Sequence, residues 1–211
     1  MSLSRRDLAF GFSAMAALAA APAALAQSRL SAEDQAALNR AQQSLQSMSS
    51  VSGTFVETGT GGIQRRGQFW LQRPGKARFD YAAPAGMWLV SDGATVKQWD
   101  PRTRTLRQTQ LARTALAPLL AQTIQVDQGV RIDRVQRTQN GGVTITARNA
   151  RQPNAGALTL AFGGSPLRLT EWTLVESNGD FRRVQFTSMR SSAAQGAAFF
   201  QKADPRQQRR G

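Results

Sequence analysis

Acid–base and metal chemistry need side chains that this chain scarcely supplies. Its 211 residues include no His and no Cys, which removes the commonest general base, the commonest metal ligand and the thiolate nucleophile. Carboxylates remain, 13 in all, one of them at Asp7 near the start. Asp80, Asp92 and Asp100 come nearest to a cluster, but the pattern puts them on different strand faces or turns, so no pair addresses a common point. No catalytic set, metal-ligand set or cofactor cradle is expected, and the chain is not read as an enzyme. The side chain that stands out is Arg73. In Ile63 to Arg73 (IQRRGQFWLQR) the even positions are polar apart from Trp70 and should face outward. The odd positions, with Phe69 and Leu71, should face inward. Arg73 then sits at the rim of an apolar face, where an unpaired guanidinium is costly. It either reaches solvent at the strand end or donates to backbone carbonyls of a covering element, such as a short helix near 111–121. In the second case it is a latch over an apolar cavity.

Placing Arg73 at such a rim takes a sheet with a lid. Ser31 can cap a helix, with Asp34 three residues on, and Leu38, Ala41, Leu45 and Met48 recur at helical spacing, so 32–48 reads as one amphipathic helix. From there the period changes to two. Strands are expected near 51–58, 63–73, 76–82, 87–92, 94–100 and 104–110, then near 130–138, 143–149, 156–162, 166–175 and 181–189. Between them lie turn signals such as Pro74-Gly75, Asp92-Gly93, Asn140-Gly141-Gly142 and Asn178-Gly179-Asp180. After Pro74-Gly75, Ala77, Phe79 and Tyr81 continue the inner surface of Phe69 and Leu71. Leu111, Ala115, Leu116, Leu119 and Leu120 share a helical face, but Pro118 within it predicts a short, broken helix. Tight turns imply antiparallel neighbours. The expected fold is mainly β with short helices: an incomplete antiparallel barrel of about eleven strands, half-closed to protect its edges, with a helical lid over an apolar cavity.

The N-terminus reads as an export signal. Arg5 and Arg6 precede Leu8–Ala21, 14 mostly small apolar residues, and Ala24-Leu25-Ala26 offers an A-x-A cleavage site. The apolar run is shorter than the roughly 20 residues of a membrane-spanning helix. Ser4-Arg5-Arg6 resembles the twin-arginine signal, with Leu8 in place of the usual Phe. The expected organisation is therefore a cleaved segment 1–26, one domain over 27–205 and a basic disordered tail over 206–211. The whole chain carries +14, and +13 remains after residues 1–26, which hold two Arg and one Asp. The arginines are dispersed along strands rather than massed, and export argues against nucleic acid. Transient contact with anionic lipid headgroups is left open.

Gly67-Gln68-Phe69-Trp70-Leu71-Gln72-Arg73-Pro74-Gly75-Lys76-Ala77-Arg78-Phe79-Asp80-Tyr81, followed by Val90-Ser91-Asp92-Gly93, resembles the periplasmic outer-membrane lipoprotein carrier family (LolA-type). The leading helix, Phe55 in the first strand and the Leu-rich segment after the sixth extend the likeness over most of 30–200. The resemblance implies a soluble, monomeric periplasmic carrier without cofactor. Its partners would be acylated lipoproteins, an inner-membrane ABC transporter and an outer-membrane receptor. By position, Arg73 would hold the lid shut. The acyl-chain cavity would be lined by Phe55, Phe69, Leu71, Ala77, Phe79, Tyr81, Leu89, Leu116, Leu119 and Leu120. Ala77 is smaller than the family's residue there, and Glu57 replaces the usual Gln. The alternative is a periplasmic binder or sensor of another apolar ligand on the same half-barrel.

Overall fold

The protein is described by a computed structural model that covers residues 30–121 and 129–207. The expected signal segment 1–26 and the tail from residue 208 lie outside the described residues. The first element is α1 (Ala32–Ser47). Ser31 caps it, its Oγ accepting the Asp34 N–H at 3.1 Å. Asp34 does not return the bond as a capping box would. Its carboxylate accepts from Arg137 Nε at 3.1 Å, and Glu33 pairs with the same arginine. Ala37, Leu38, Ala41 and Leu45 form the buried face.

Eleven strands follow, in the places that turn chemistry and the two-residue period predict. They are β1 (Ser50–Gly59), β2 (Gln64–Gln72), β3 (Lys76–Tyr81), β4 (Trp88–Asp92), β5 (Thr95–Asp100) and β6 (Thr105–Gln110), then β7 (Val130–Arg137), β8 (Val143–Asn149), β9 (Ala157–Gly163), β10 (Arg168–Val175) and β11 (Phe181–Ser191). They make one antiparallel sheet in the order β6-β5-β4-β3-β2-β1-β11-β10-β9-β8-β7. Two meanders meet where β1 pairs with β11, and β6 and β7 are its unjoined edges, so the barrel is incomplete. The connection from β6 to β7 carries a 3-10 turn at Leu111–Arg113 and a second helix, α2 (Ala117–Leu120). Pro118 lies in the first residues of α2, where a helix needs no N–H from it, so α2 starts there instead of continuing the 3-10 turn.

The concave face of the sheet holds the main core. α1 packs against β7, β8 and β10, and α2 against β8. The inward residues of both meanders join the apolar faces of the two helices in a single cluster. A smaller cluster of Trp88, Val90 and Trp99, with Leu106 beside it, lies on the outer face. A second piece of outer cover has no counterpart in the sequence reading. The 3-10 turn Ala197–Phe200 lies over β3 and β4. Phe199 meets Trp70 edge-on at 5.1 Å, and the Arg78 guanidinium stacks 4.4 Å from the Phe199 ring and donates to its carbonyl.

Candidate functional site

The alternation in β2 and β3 builds the site. Register places Phe69 opposite Phe79 and Phe79 opposite Leu89, so these three form a row across β2, β3 and β4. A parallel row runs from Phe55 through Gly67 to Tyr81. Gly67 leaves room for the aromatic beside it: a Cβ there would stand 2.8 Å from the Phe55 ring and 2.3 Å from the Asp80 carbonyl. Phe55 thus reaches Phe79 and Tyr81 in edge-on contacts at 5.3 and 5.1 Å. Leu71 and Ala77 pair one step nearer the Pro74-Gly75 turn.

All ten residues expected to line a cavity are brought together. Phe55, Phe69, Leu71, Ala77, Phe79, Leu116, Leu119 and Leu120 are buried members of the main core, and Tyr81 and Leu89 pack against it. The other meander completes the interior with residues that were not singled out from the sequence, among them Ile145, Leu158, Leu160, Trp172, Val184 and Phe186. The in–out alternation of β8 and of most of β9 is the signal that would have found Ile145, Leu158 and Leu160. Among the described residues the interior is closely packed. The apolar cavity between Leu38, Leu45 and Leu119 of the helices and Ile132, Ile145 and Leu160 of the sheet measures about 30 Å³. That is about the share of one water, far below the 300 Å³ or more typical of sites for drug-sized ligands.

Arg73 follows β2 and lies half-buried at the rim. Its Nη1 donates to the Leu45 carbonyl at 2.6 Å, in the last turn of α1. The bond therefore goes to the first helix, not to the 111–121 segment, which is tied to the same turn by another route: the Gly75 N–H donates to the Leu120 carbonyl at 2.8 Å. Burial lowers the Arg73 pKa to about 10. The two stretches Arg73-Pro74-Gly75-Lys76 and Val90-Ser91-Asp92-Gly93 meet in space here. Ser91 Oγ, fully buried, donates to the Gly75 carbonyl at 2.6 Å. Gly75 has φ +74, and a Cβ on it would stand 2.6 Å from Gly93 Cα. Asp92 accepts the Thr95 and Ala94 N–H groups at 2.8 and 2.9 Å, and these bonds, that of Thr95 first, lower its pKa.

Across the open side of the sheet the 111–121 segment is held from both meanders. Leu111 N–H donates to the Ala94 carbonyl at 2.8 Å, and Asn149 Nδ2, at the end of β8, donates to the Ala112 carbonyl at 2.8 Å. Deeper inside are two polar features. Glu57 is only 2% exposed, and it accepts the Tyr81 hydroxyl and, at 3.4 Å, Arg65 Nη1. Burial first, then the Glu57 charge and hydrogen bond, pushes the Tyr81 pKa well above the ordinary tyrosine value. The Trp172 indole N–H is buried with no acceptor among the described residues.

An open antiparallel sheet with an apolar interior, and helices tied across it by a few backbone-directed hydrogen bonds, defines the class of an incomplete barrel with a helical cover. Comparison with known families makes this specific. The chain belongs to the LolA family, described as outer membrane lipoprotein carrier protein LolA, which matches residues 46–203. It is similar to the outer-membrane lipoprotein carrier protein of Chromobacterium violaceum, 28% identical over 74% of this chain and 78% of that protein. The protein of the same name from Methylobacillus flagellatus is also 28% identical, over 64% of this chain and 66% of that one. Among solved structures it is similar to a LolA superfamily protein from Nitrosomonas europaea, with 10% identity and a TM-score of 0.45 over 80% of this chain and 97% of that one. An uncharacterized conserved protein from Thermus thermophilus matches with 13% identity and a TM-score of 0.46, over 82% of this chain and 96% of that one. Among the described residues no helix is long and apolar enough to cross a membrane.

Proposed function

We propose that the protein is a periplasmic carrier of lipoproteins. It takes their acyl chains into the sheet interior as an inner-membrane ABC transporter releases them, and yields them to an outer-membrane receptor. The observation that carries this reading is the apolar interior roofed by α1 and the 111–121 segment, each bound at the Pro74-Gly75 turn by a single hydrogen bond. Each methylene removed from water contributes about 0.8 kcal/mol, so acylated cargo cannot cross an aqueous gap unaided. A carrier must nonetheless let go. Closing bonds of roughly 1 kcal/mol each are small enough for a guest to displace and large enough to restore a filled, closed interior when it leaves. In the loaded state Arg73 loses the Leu45 carbonyl and its charge returns to water, and the interior side chains part to admit the chains. The buried Trp172 N–H is then available to an ester carbonyl of the cargo.

The test is to incubate the purified protein with spheroplasts that hold labelled lipoproteins, and to look for soluble one-to-one complexes by size exclusion and mass spectrometry. ATP-dependent release into such complexes is the expected result. Absence of release, with lipid co-purifying in the interior, would replace the carrier by a binder or sensor of another apolar ligand. Arg73→Leu should weaken the closed empty state and so retain cargo. The variant is expected to load normally but hand over to a receptor much more slowly than the wild type. Equal transfer would remove the latch role.

A further inference from the structure

A second cavity among the described residues lies away from the interior. An open cleft of about 910 Å³ lies at the end of β2–β6 opposite the Pro74-Gly75 turn, where the loops before β2, between β3 and β4, and between β5 and β6 converge. Its lining is apolar at Ala82, Pro84 and Met87 and basic at Arg66 and Arg102. Beside it stands Ile63, 50% exposed, one of two large hydrophobic residues exposed among those described. Ile63 follows Gly59-Thr60-Gly61-Gly62, so it is carried on a glycine-rich tip.

The charge around this cleft is not compensated. At the cleft end of β5 and β6 stand Arg102 and Arg104, with Lys97 and Arg107 further along the same strands, against Asp100, which also accepts the Arg102 backbone N–H at 2.9 Å. Among the described residues none of these four cations, nor Arg66, has a salt-bridge partner. In the other meander Arg131, Arg137, Arg148, Arg182 and Arg183 each meet a carboxylate, while Arg134 and Arg151 stand apart from one another without such a partner among the described residues. Unpaired guanidinium groups attract phosphate oxygens. An exposed isoleucine at their side distinguishes a lipid surface from an acidic protein, because it has a place to go at the boundary of the acyl region.

We propose that this cleft docks the protein on an anionic phospholipid bilayer, with Arg66 and Arg102 on headgroup phosphates and Ile63 in the acyl boundary. Docking at this end leaves the Arg73 and Gly75 bonds at the far end of the strands, clear of the bilayer. The inference does not depend on cargo, so its test uses none and its failure would leave the carrier reading intact.

The experiment is co-sedimentation of the protein with vesicles of phosphatidylcholine alone or mixed with phosphatidylglycerol, at low and high salt. Binding is expected only to the anionic vesicles and should fade as salt rises. Each basic residue near an anionic surface contributes about a fivefold factor, so Arg66→Gln with Arg102→Gln should weaken binding roughly 30-fold. Arg134→Gln with Arg151→Gln, which removes two exposed cations from the other meander, should leave most of it. Ile63→Ser should weaken binding to anionic vesicles without changing its salt dependence. All these positions are exposed, so unchanged melting temperatures serve as the folding control. Equal binding to neutral vesicles, equal losses in both arginine pairs, or no vesicle binding at all would each overturn the proposal. Capture of an oligoglutamate peptide through Arg66 and Arg102 in place of vesicles would also overturn it, and would assign the cleft to an acidic protein segment.

Discussion

Tyr81 is the chain's single tyrosine, which makes it its own reporter. Its folded-state pKa is raised, so above about pH 10, the ordinary tyrosine value, the folded form holds a proton that the unfolded form has lost. Stability from this group is therefore complete below that pH and is lost as pH rises through the folded value. Absorbance at 295 nm is expected to stay flat until far-ultraviolet circular dichroism collapses. A tyrosinate step near pH 10 in a protein with unchanged dichroism would show that the hydroxyl is not held by Glu57. Arg73 works in the opposite sense. Burial lowers its pKa to about 10, so the buried cation opposes the fold at neutral pH, and that opposition is relieved only as pH climbs through 10. Arg73 was legible as a charge in register with an apolar face and standing at its rim. Its acceptor was not, because nothing in the local pattern tells which carbonyl of a helix 28 residues earlier will arrive there.

At the scale of elements, the segment from Leu111 to Leu120 is held by one helical turn and by anchors at Ala94, Asn149 and Gly75. Asn149 is 5% exposed and spends its side chain on this segment and on the Arg151 N–H. Asn149→Ala should cost about 1–3 kcal/mol. It should also speed amide exchange in 111–120 more than in β1 or β2. Uniform acceleration over the whole sheet would mean that Asn149 supports the fold rather than the segment. The strands themselves were legible because each turn carries its own chemistry, as Pro74-Gly75 and Asn178-Gly179-Asp180 do, and because alternation marks the buried side. The broken helix was legible from Pro118. The cover at Ala197–Phe200 was not: four residues have no period, and Trp70 on a polar face looked like an outward residue until Phe199 was placed on it. The close packing of the interior was equally hidden, since a row of apolar side chains has the same sequence whether it lines a space or closes one.

Considered whole, the molecule is two meanders joined by a single seam. Every other strand pairing is between sequence neighbours, but β1 pairs with β11, from Val51 with Ser191 to Gly59 with Arg182. Removing residues 181–211 should therefore not trim the fold but divide it: β1 and β10 would both be left with bare edges. Such a chain is expected to aggregate and to lose cooperative unfolding, and a sharp thermal transition in it would show that the first meander stands alone. The same seam has a consequence in time. A ribosome adding about 5–20 residues per second needs about 7–26 seconds to go from the end of β1 to the end of β11, and throughout that interval β1 has no partner on one side. Whatever crosses a membrane as an unfinished chain thus meets its last strand only on the far side. A chain sent through already folded must first wait for its own C-terminus, so the choice of export route amounts to a choice of compartment in which that interval is spent.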